Sequence, residues 1–311
     1  MQIRPNLTAW DERLPQEFEY EAYVADPGNR DVASFGEYRA RRHYGSFGRA
    51  EGRVCSRVKC RADFVALVPV ELPILEVGPF FSPAFRRPRA NVRYLDCLST
   101  ESLLQRAGTV KGAAFENVPE IDYVWSGEPY RDIVDRTFSV VYSSHNIEHQ
   151  TCLIRHLQDL ESVLESDGAA FFVIPDKRYC FDHFFAETNL ADVFDAWVGQ
   201  RRRHSVRDIL EHRFFCTHND AVRHWHGEHG EWAALAPLEG EREVAFRAEV
   251  EHLRSSEEYA DVHAWKFTPD SFAVLMDNLF RLGMTRFRVA RVYPTVKNSQ
   301  EFYVVLTRSE R

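Results

Sequence analysis

Between residues 73 and 175 short apolar runs alternate with amphipathic stretches. Ile74, Leu75 and Val77 form the first run, stopped by Gly78, and Val92, Tyr94 and Leu95 form the second, closed by Asp96. Further runs lie at 121–125, 138–142 and 169–174, and the last is apolar throughout, as a strand buried on both faces should be. The stretches between them predict helices at 98–107, with Ser99 or Thr100 as N-cap, at 131–136, and from 153 onward. In the last of these Leu153, Leu157, Leu160 and Leu164 share one stripe, and Asp167-Gly168 ends it. A helix is also expected over 57–70.

The alternation lapses over 176–267, which is rich in charge, histidine and aromatics, with helices expected at 190–202, 206–215 and 241–254. It resumes at Thr268-Pro269, a favourable N-cap and first helical residue, followed by the stripe Phe272, Leu275, Met276 and Leu279 and the stop at Gly283. Runs at 287–293 and 301–306 predict a closing antiparallel pair. The expected fold class is α/β, a doubly wound, seven-stranded, mostly parallel Rossmann-like sheet with a helical insertion after strand five. The expected division is an N-terminal helical arm (1–70), a sheet domain (71–175 and 268–311) and an inserted substrate lid (176–267). The arginine- and aromatic-rich stretch 35–49 reads either as an arm over a ligand or as a helix and loop packed on the main domain, and the second reading is preferred.

Composition narrows the function classes. The 311 residues are 44% hydrophobic and 28% charged, which suits a globular chain with a sizeable core. A net charge of −8 without a basic stripe argues against nucleic acid as a partner. No run approaches the length of a membrane span, and the start lacks an apolar leader, so a cytoplasmic setting is expected. Six scattered cysteines fit reduced thiols, and Cys55 and Cys60 lack a matching second pair for zinc.

Candidate chemistry gathers at the predicted carboxyl ends of the strands, where open parallel sheets bind ligands. Gly78 lets the backbone approach a ligand closely, and an acid such as Asp96 can hold ribose hydroxyls. After strand four comes Ser144-His145-Asn-Ile-Glu148-His149, and after strand five come Asp176 and then His183. His145, His149, Asp176 and His183 are candidate general bases. The densest polar group runs through His218, Asn219, Asp220, His224, Trp225, His226, Glu228 and His229. Spacing permits a divalent metal on His224 and His226 or on His226 and His229. A surface that hydrogen-bonds and stacks on an acceptor, with Arg178 and Tyr179, explains the same residues and is preferred, so no metal ligand is assigned.

In order along the chain, Leu75-Glu-Val-Gly-Pro, Tyr94-Leu-Asp96, Asp122-Tyr-Val-Trp, Ser144-His-Asn-Ile-Glu-His149 and Leu164-Glu-Ser-Asp-Gly-Ala resemble the motifs of class I S-adenosylmethionine-dependent methyltransferases. Ile174-Pro-Asp-Lys-Arg-Tyr-Cys-Phe-Asp182 and His218-Asn-Asp…His224-Trp resemble a bacterial subgroup associated with polysaccharide and glycoconjugate clusters. The resemblance covers about residues 70–308. It implies S-adenosylmethionine as cofactor, held by Glu76, Gly78, Pro79, Asp96, Asp122, Ser144 and His145, with Glu76 toward the ammonium group and Asp122 toward the adenine. The chain departs from the pattern at Gly78-Pro-Phe-Phe, where two or three glycines are usual.

The resulting expectation is O-methylation of a sugar hydroxyl on a glycan or glycoconjugate precursor, part of polysaccharide biosynthesis. The alternatives are methylation of a non-sugar small molecule at oxygen or nitrogen, and a non-catalytic scaffold plugged at Pro79 and Phe80. A nicotinamide dehydrogenase is disfavoured because Gly-x-Gly-x-x-Gly is missing. A homodimer is left open.

Overall fold

The computed structural model describes residues 18–109, 115–256 and 258–309. Seven strands form one sheet: β1 (Ile74–Val77), β2 (Val92–Asp96), β3 (Tyr123–Val124), β4 (Phe138–Ser144), β5 (Leu164–Pro175), β6 (Phe287–Tyr293) and β7 (Glu301–Arg308). Their order is β3-β2-β1-β4-β5-β7-β6. β1 to β5 pair in parallel, whereas β7 runs antiparallel to both β5 and β6. This is a doubly wound, mostly parallel Rossmann-like α/β arrangement. Because β7 is reversed, its first residue, Glu301, lies opposite Pro175 at the carboxyl edge of β5.

The helices are α1 (Tyr20–Ala25), α2 (Glu37–His43), α3 (Arg61–Val65), α4 (Thr100–Ala107), α5 (Tyr130–Ile133), α6 (Leu153–Val163), α7 (Leu190–Val198), α8 (Val206–Phe214), α9 (Ala221–Trp225), α10 (Gly240–Ser255) and α11 (Pro269–Arg281). One apolar layer packs Leu153, Leu157 and Leu160 of α6 and Phe272, Leu275, Met276 and Leu279 of α11 against one face of the sheet. The other packs Phe64 and Val68 against Tyr142, Phe171 and Tyr303 on the opposite face. The N-terminal segment has a small core of its own around Phe18, Tyr23, Val32 and Tyr44. Among the described residues no helix is long and apolar enough to cross a membrane.

Several boundaries differ from the sequence pattern. Leu164 belongs to β5, not to the α6 stripe: it pairs with Phe138, and the register then jumps so that Val140 pairs with Ala169. Gly168 makes this possible, since a Cβ there would meet Leu164 and the Ser139 carbonyl at under 3.0 Å. The helix expected over 57–70 is confined to α3, because Pro69 and the turns before it cannot continue a helix. α7 stops at Gly199, short of the arginines that follow. Capping behaves as the pattern indicates: Ser99 caps α4, and Ser205 and Thr268 close capping boxes on α8 and α11.

Candidate active site

The ends of β1, β2 and β4 meet around Gly78. Its N–H donates to the Leu95 carbonyl at 2.8 Å, and its backbone is left-handed at φ 68. A Cβ there would sit 2.4 Å from Asn146 Nδ2, so the turn after β1 and the turn after β4 touch only because residue 78 is glycine. Phe80 is also left-handed, at φ 50. Its ring packs on Phe81 at 3.9 Å and beneath the Arg106 guanidinium at 4.8 Å, which engages the aromatic pair with α4.

Asp96 is buried at the end of β2 and accepts from Leu98 N–H at 2.9 Å. Burial raises its pKa against the pull of the Leu98 and Phe80 amides. Glu76 is also buried, but its oxygens accept from the Ala84 and Phe85 amides at 2.7 and 3.2 Å. Burial nevertheless pushes its pKa up to about 7. It therefore ties down the loop after β1 and is already satisfied. Asp122 clamps β3 to β2 through the Tyr94 amide (2.9 Å), Arg93 (2.5 Å) and Arg87 (3.3 Å). Both of its oxygens are engaged in this clamp.

β4 ends at Ser144 and delivers His145 in a left-handed backbone, φ 47. His145 Nε2 lies 2.9 Å from Glu301, which also binds Arg61 and the Tyr303 hydroxyl. Burial would raise the pKa of Glu301, but His145 and Arg61 hold it down at about 2. Three residues further on, Glu148 is fully buried, and neither of its oxygens has a hydrogen-bond partner among the described residues. His145 Nδ1 and His149 Nε2 each lie 3.7 Å from Glu148 Oε1, and His263 Nε2 lies at 3.9 Å. His149 Nδ1 contacts Asp261 at 3.0 Å, and His263 Nδ1 contacts the buried Asp182 at 2.5 Å. Burial pulls the His149 pKa down, but Asp261 and Glu148 carry it above the ordinary value.

The other two candidate bases stand elsewhere. Asp176 is fully buried, with its oxygens taken by Arg178 (2.6 and 2.9 Å) and the Thr295 hydroxyl (2.6 Å). In this arrangement Asp176 clamps Arg178 and Thr295. His183 donates toward the Arg178 carbonyl at 2.7 Å and stacks on His229 at 3.7 Å. It belongs to a histidine stack with His224 and His229.

The residues expected to contact an acceptor hold one another. Arg178 is bidentate on Asp176, and Tyr179 stacks on Trp225 at 4.0 Å and 7°. Trp225 donates to the Ser299 carbonyl and packs against Gly52. His218 bonds the Glu228 carbonyl and stacks on His224, which is buried and bonds the His218 carbonyl and His229. Asn219 accepts from Phe181 N–H, and Asp220 caps α9. The cluster stitches the insertion to the N-terminal segment and to the β6–β7 connection, and its polar atoms are largely matched inside the protein.

Sequence reasoning missed Glu301, Asp261 and His263. An Asp-x-His immediately before the resumption at Thr268 was the available signal for the last two.

No family model matches the chain, and no curated protein matches it in sequence. Solved structures do resemble it. The mitomycin 7-O-methyltransferase MmcR aligns at 11% identity and a TM-score of 0.36 over 93% of this chain, which spans 60% of MmcR. The CcbJ methyltransferase from Streptomyces caelestis aligns at 12% and 0.40, over 94% of this chain and 97% of its own. A structure assigned to zinc-dependent alcohol dehydrogenases from Rhodobacter sphaeroides aligns at 11% and 0.41, over 83% and 92%. At these identities and scores the likeness carries no functional argument, and function is argued from the site.

Proposed function

We propose that the chain is an S-adenosylmethionine-dependent O-methyltransferase whose acceptor is a sugar hydroxyl of a glycan or glycoconjugate precursor. One observation carries the reading. In a sheet ordered 3-2-1-4-5-7-6 with a reversed last strand, a glycine turn after β1, a buried acid ending β2 and a histidine–carboxylate group after β4 converge at one edge. The residues fit the cofactor: residue 78 carries no Cβ at the crowded turn, and Asp96 is a buried acid at the strand end suited to vicinal hydroxyls. Gly78 and Pro79 shape the turn, and Ser144 borders it from β4. The engagement of Phe80 and Phe81 with α4 speaks against a plugged site.

When bound, the cofactor supplies an electrophilic methyl group. The chain's own task is to align the acceptor and remove its proton. His145 serves as base: Nε2–H donates to Glu301, which fixes the tautomer and leaves Nδ1 to take the hydroxyl proton. Around it stand Glu148, His149, Asp182, Asp261 and His263. A hydroxyl-rich acceptor pairs with such a wall, whereas an apolar aromatic one would leave it unmatched.

The test is calorimetric titration of S-adenosylhomocysteine into the wild type and Asp96→Asn, with NADH as control, followed by an acceptor screen of sugars against aromatic phenols and amines. Binding that is lost in the variant, with turnover on sugars, supports the proposal. A folded wild type that does not bind favours the scaffold. Turnover on phenols or amines alone would replace the sugar acceptor.

A further inference from the structure

We propose that Glu148, His149 and His263 form a binding site for a first-row divalent cation of the zinc type. The site is argued from the lone pairs that face one another. Each imidazole has its Nδ1 against a carboxylate: His149 against Asp261 at 3.0 Å, and His263 against Asp182 at 2.5 Å. The Nδ1–H of His263 donates to Asp182, which leaves its Nε2 as a bare acceptor. His149 Nδ1 meets Asp261 as an ion-pair contact outside hydrogen-bond alignment, and the proton that this carboxylate draws to Nδ1 leaves the His149 Nε2 as an acceptor too. Both Nε2 atoms lie near Glu148 Oε1, at 3.7 and 3.9 Å. Three acceptors thus face one another, and the carboxylate among them is fully buried with no donor on either oxygen among the described residues.

An unpaired buried carboxylate is strongly disfavoured, and distances of 3.7–3.9 Å are too long for a shared proton to make a hydrogen bond. A cation answers both problems. The three ligand atoms lie within 4.8 Å of one another, and the two rings meet edge to face at 90°, so their lone pairs can converge. Bonds of ~2.1 Å require the trio to close by roughly an ångström at most. Two imidazoles and one carboxylate select zinc-type ions over magnesium or calcium, and the carboxylates behind the imidazoles are the usual support of such ligands. His149 is partly exposed, so the trio is reachable from one side.

A second group, His183, His224 and His229, also brings three ring nitrogens within 4.8 Å. Its rings stack almost parallel, at 13° to 23°, which turns their lone pairs alongside one another instead of toward a common point. The argument therefore rests on the β4 trio alone.

The cation's role, though not its site, rests on the methyltransferase reading. It would hold an acceptor hydroxyl and lower its pKa, with His145 remaining the base. The test is calorimetric titration of Zn²⁺ into chelator-stripped, desalted full-length protein. The expected result is one site of micromolar affinity or better. His149→Gln should weaken it at least tenfold, Glu148→Gln should do the same, and Asp182→Asn should weaken it about 10- to 100-fold. His224→Gln should leave it unchanged.

Circular dichroism establishes that each variant is folded. If the buried Glu148→Gln fails to fold, the partly exposed His149 variant still decides. The visible spectrum of the Co²⁺ form of the wild type decides without any variant: intense low-coordinate bands support the trio, and weak six-coordinate bands overturn it. Absence of Zn²⁺ binding, or binding indifferent to His149→Gln, also overturns it. S-adenosylhomocysteine is titrated separately on the same protein. Cofactor binding without Zn²⁺ binding sinks only the metal site, and the reverse sinks only the methyltransferase reading.

Discussion

Asp182 Oδ2 lies 2.5 Å from His263 Nδ1, and both residues are buried although they stand 81 positions apart. The pair joins the segment just after β5 to the segment just before α11, so it closes the base of the insertion onto the sheet. Removing one partner leaves the other buried and uncompensated, at a cost of about 3–5 kcal/mol. Asp182→Ala and His263→Ala are each expected to lower the urea midpoint of metal-free protein by that order. The double variant should lose much less than their sum. Strict additivity in the cycle would show that the two residues do not act as a pair.

Glu76 gives a pH signature. Burial holds its carboxyl at about 7 in the folded protein, well above the ordinary glutamate value. Between the unfolded and folded pKa values the native state binds more protons, so this residue's contribution is fully present at acid pH and is lost as pH rises toward 7. The loss is on the order of 3 kcal/mol. Glu76→Gln retains an acceptor for the Ala84 amide and cannot ionise. Its stability relative to wild type is expected to climb between about pH 4.5 and 7, measured by urea unfolding at each pH. A flat difference would mean that Glu76 is solvated or ionised throughout.

Gly78→Ala tests the contact between the turns. The new methyl group meets Asn146, and the backbone must stay at φ 68. A loss of about 1–3 kcal/mol is expected, together with loss of S-adenosylhomocysteine binding. Adding Asn146→Ala removes the clash but not the backbone strain, so it should restore part of the stability and not all of it. Full recovery would mean that the positive φ is not required.

Much of the sheet was legible because its apolar runs have the period and length of buried strands. β1, β2, β4 and β6 stand where the pattern put them, and Asp96 falls at the end of β2. β5 was misjudged at its start, because the bulge at Gly168 depends on packing against Leu164 and Ser139, which no local pattern reveals. The site was less legible, for a related reason. Histidines are conspicuous by local density, and density drew attention to residues 218–229, where stacking and backbone carbonyls satisfy most of the rings. The partners that matter at β4 come from far along the chain: Glu301 lies 156 positions from His145. Its placement follows from the reversal of β7, a property of the whole sheet.

That placement yields the sharpest catalytic prediction. If His145 is the base and Glu301 fixes its tautomer, His145→Ala should lower kcat about 10²- to 10⁴-fold and leave S-adenosylhomocysteine affinity within a few-fold of wild type. Glu301→Gln keeps the shape but offers a neutral partner, so the imidazolium formed on proton transfer loses its counter-charge. The kcat of this variant should then fall while S-adenosylhomocysteine affinity stays near wild type. Asp176→Asn supplies the contrast: its oxygens are committed to Arg178 and Thr295, so it should lower stability without lowering the kcat of the folded enzyme. A His145→Ala enzyme with undiminished kcat on its acceptor would remove His145 as base. A kcat that falls in Asp176→Asn and holds in Glu301→Gln would exchange the roles assigned to the two acids.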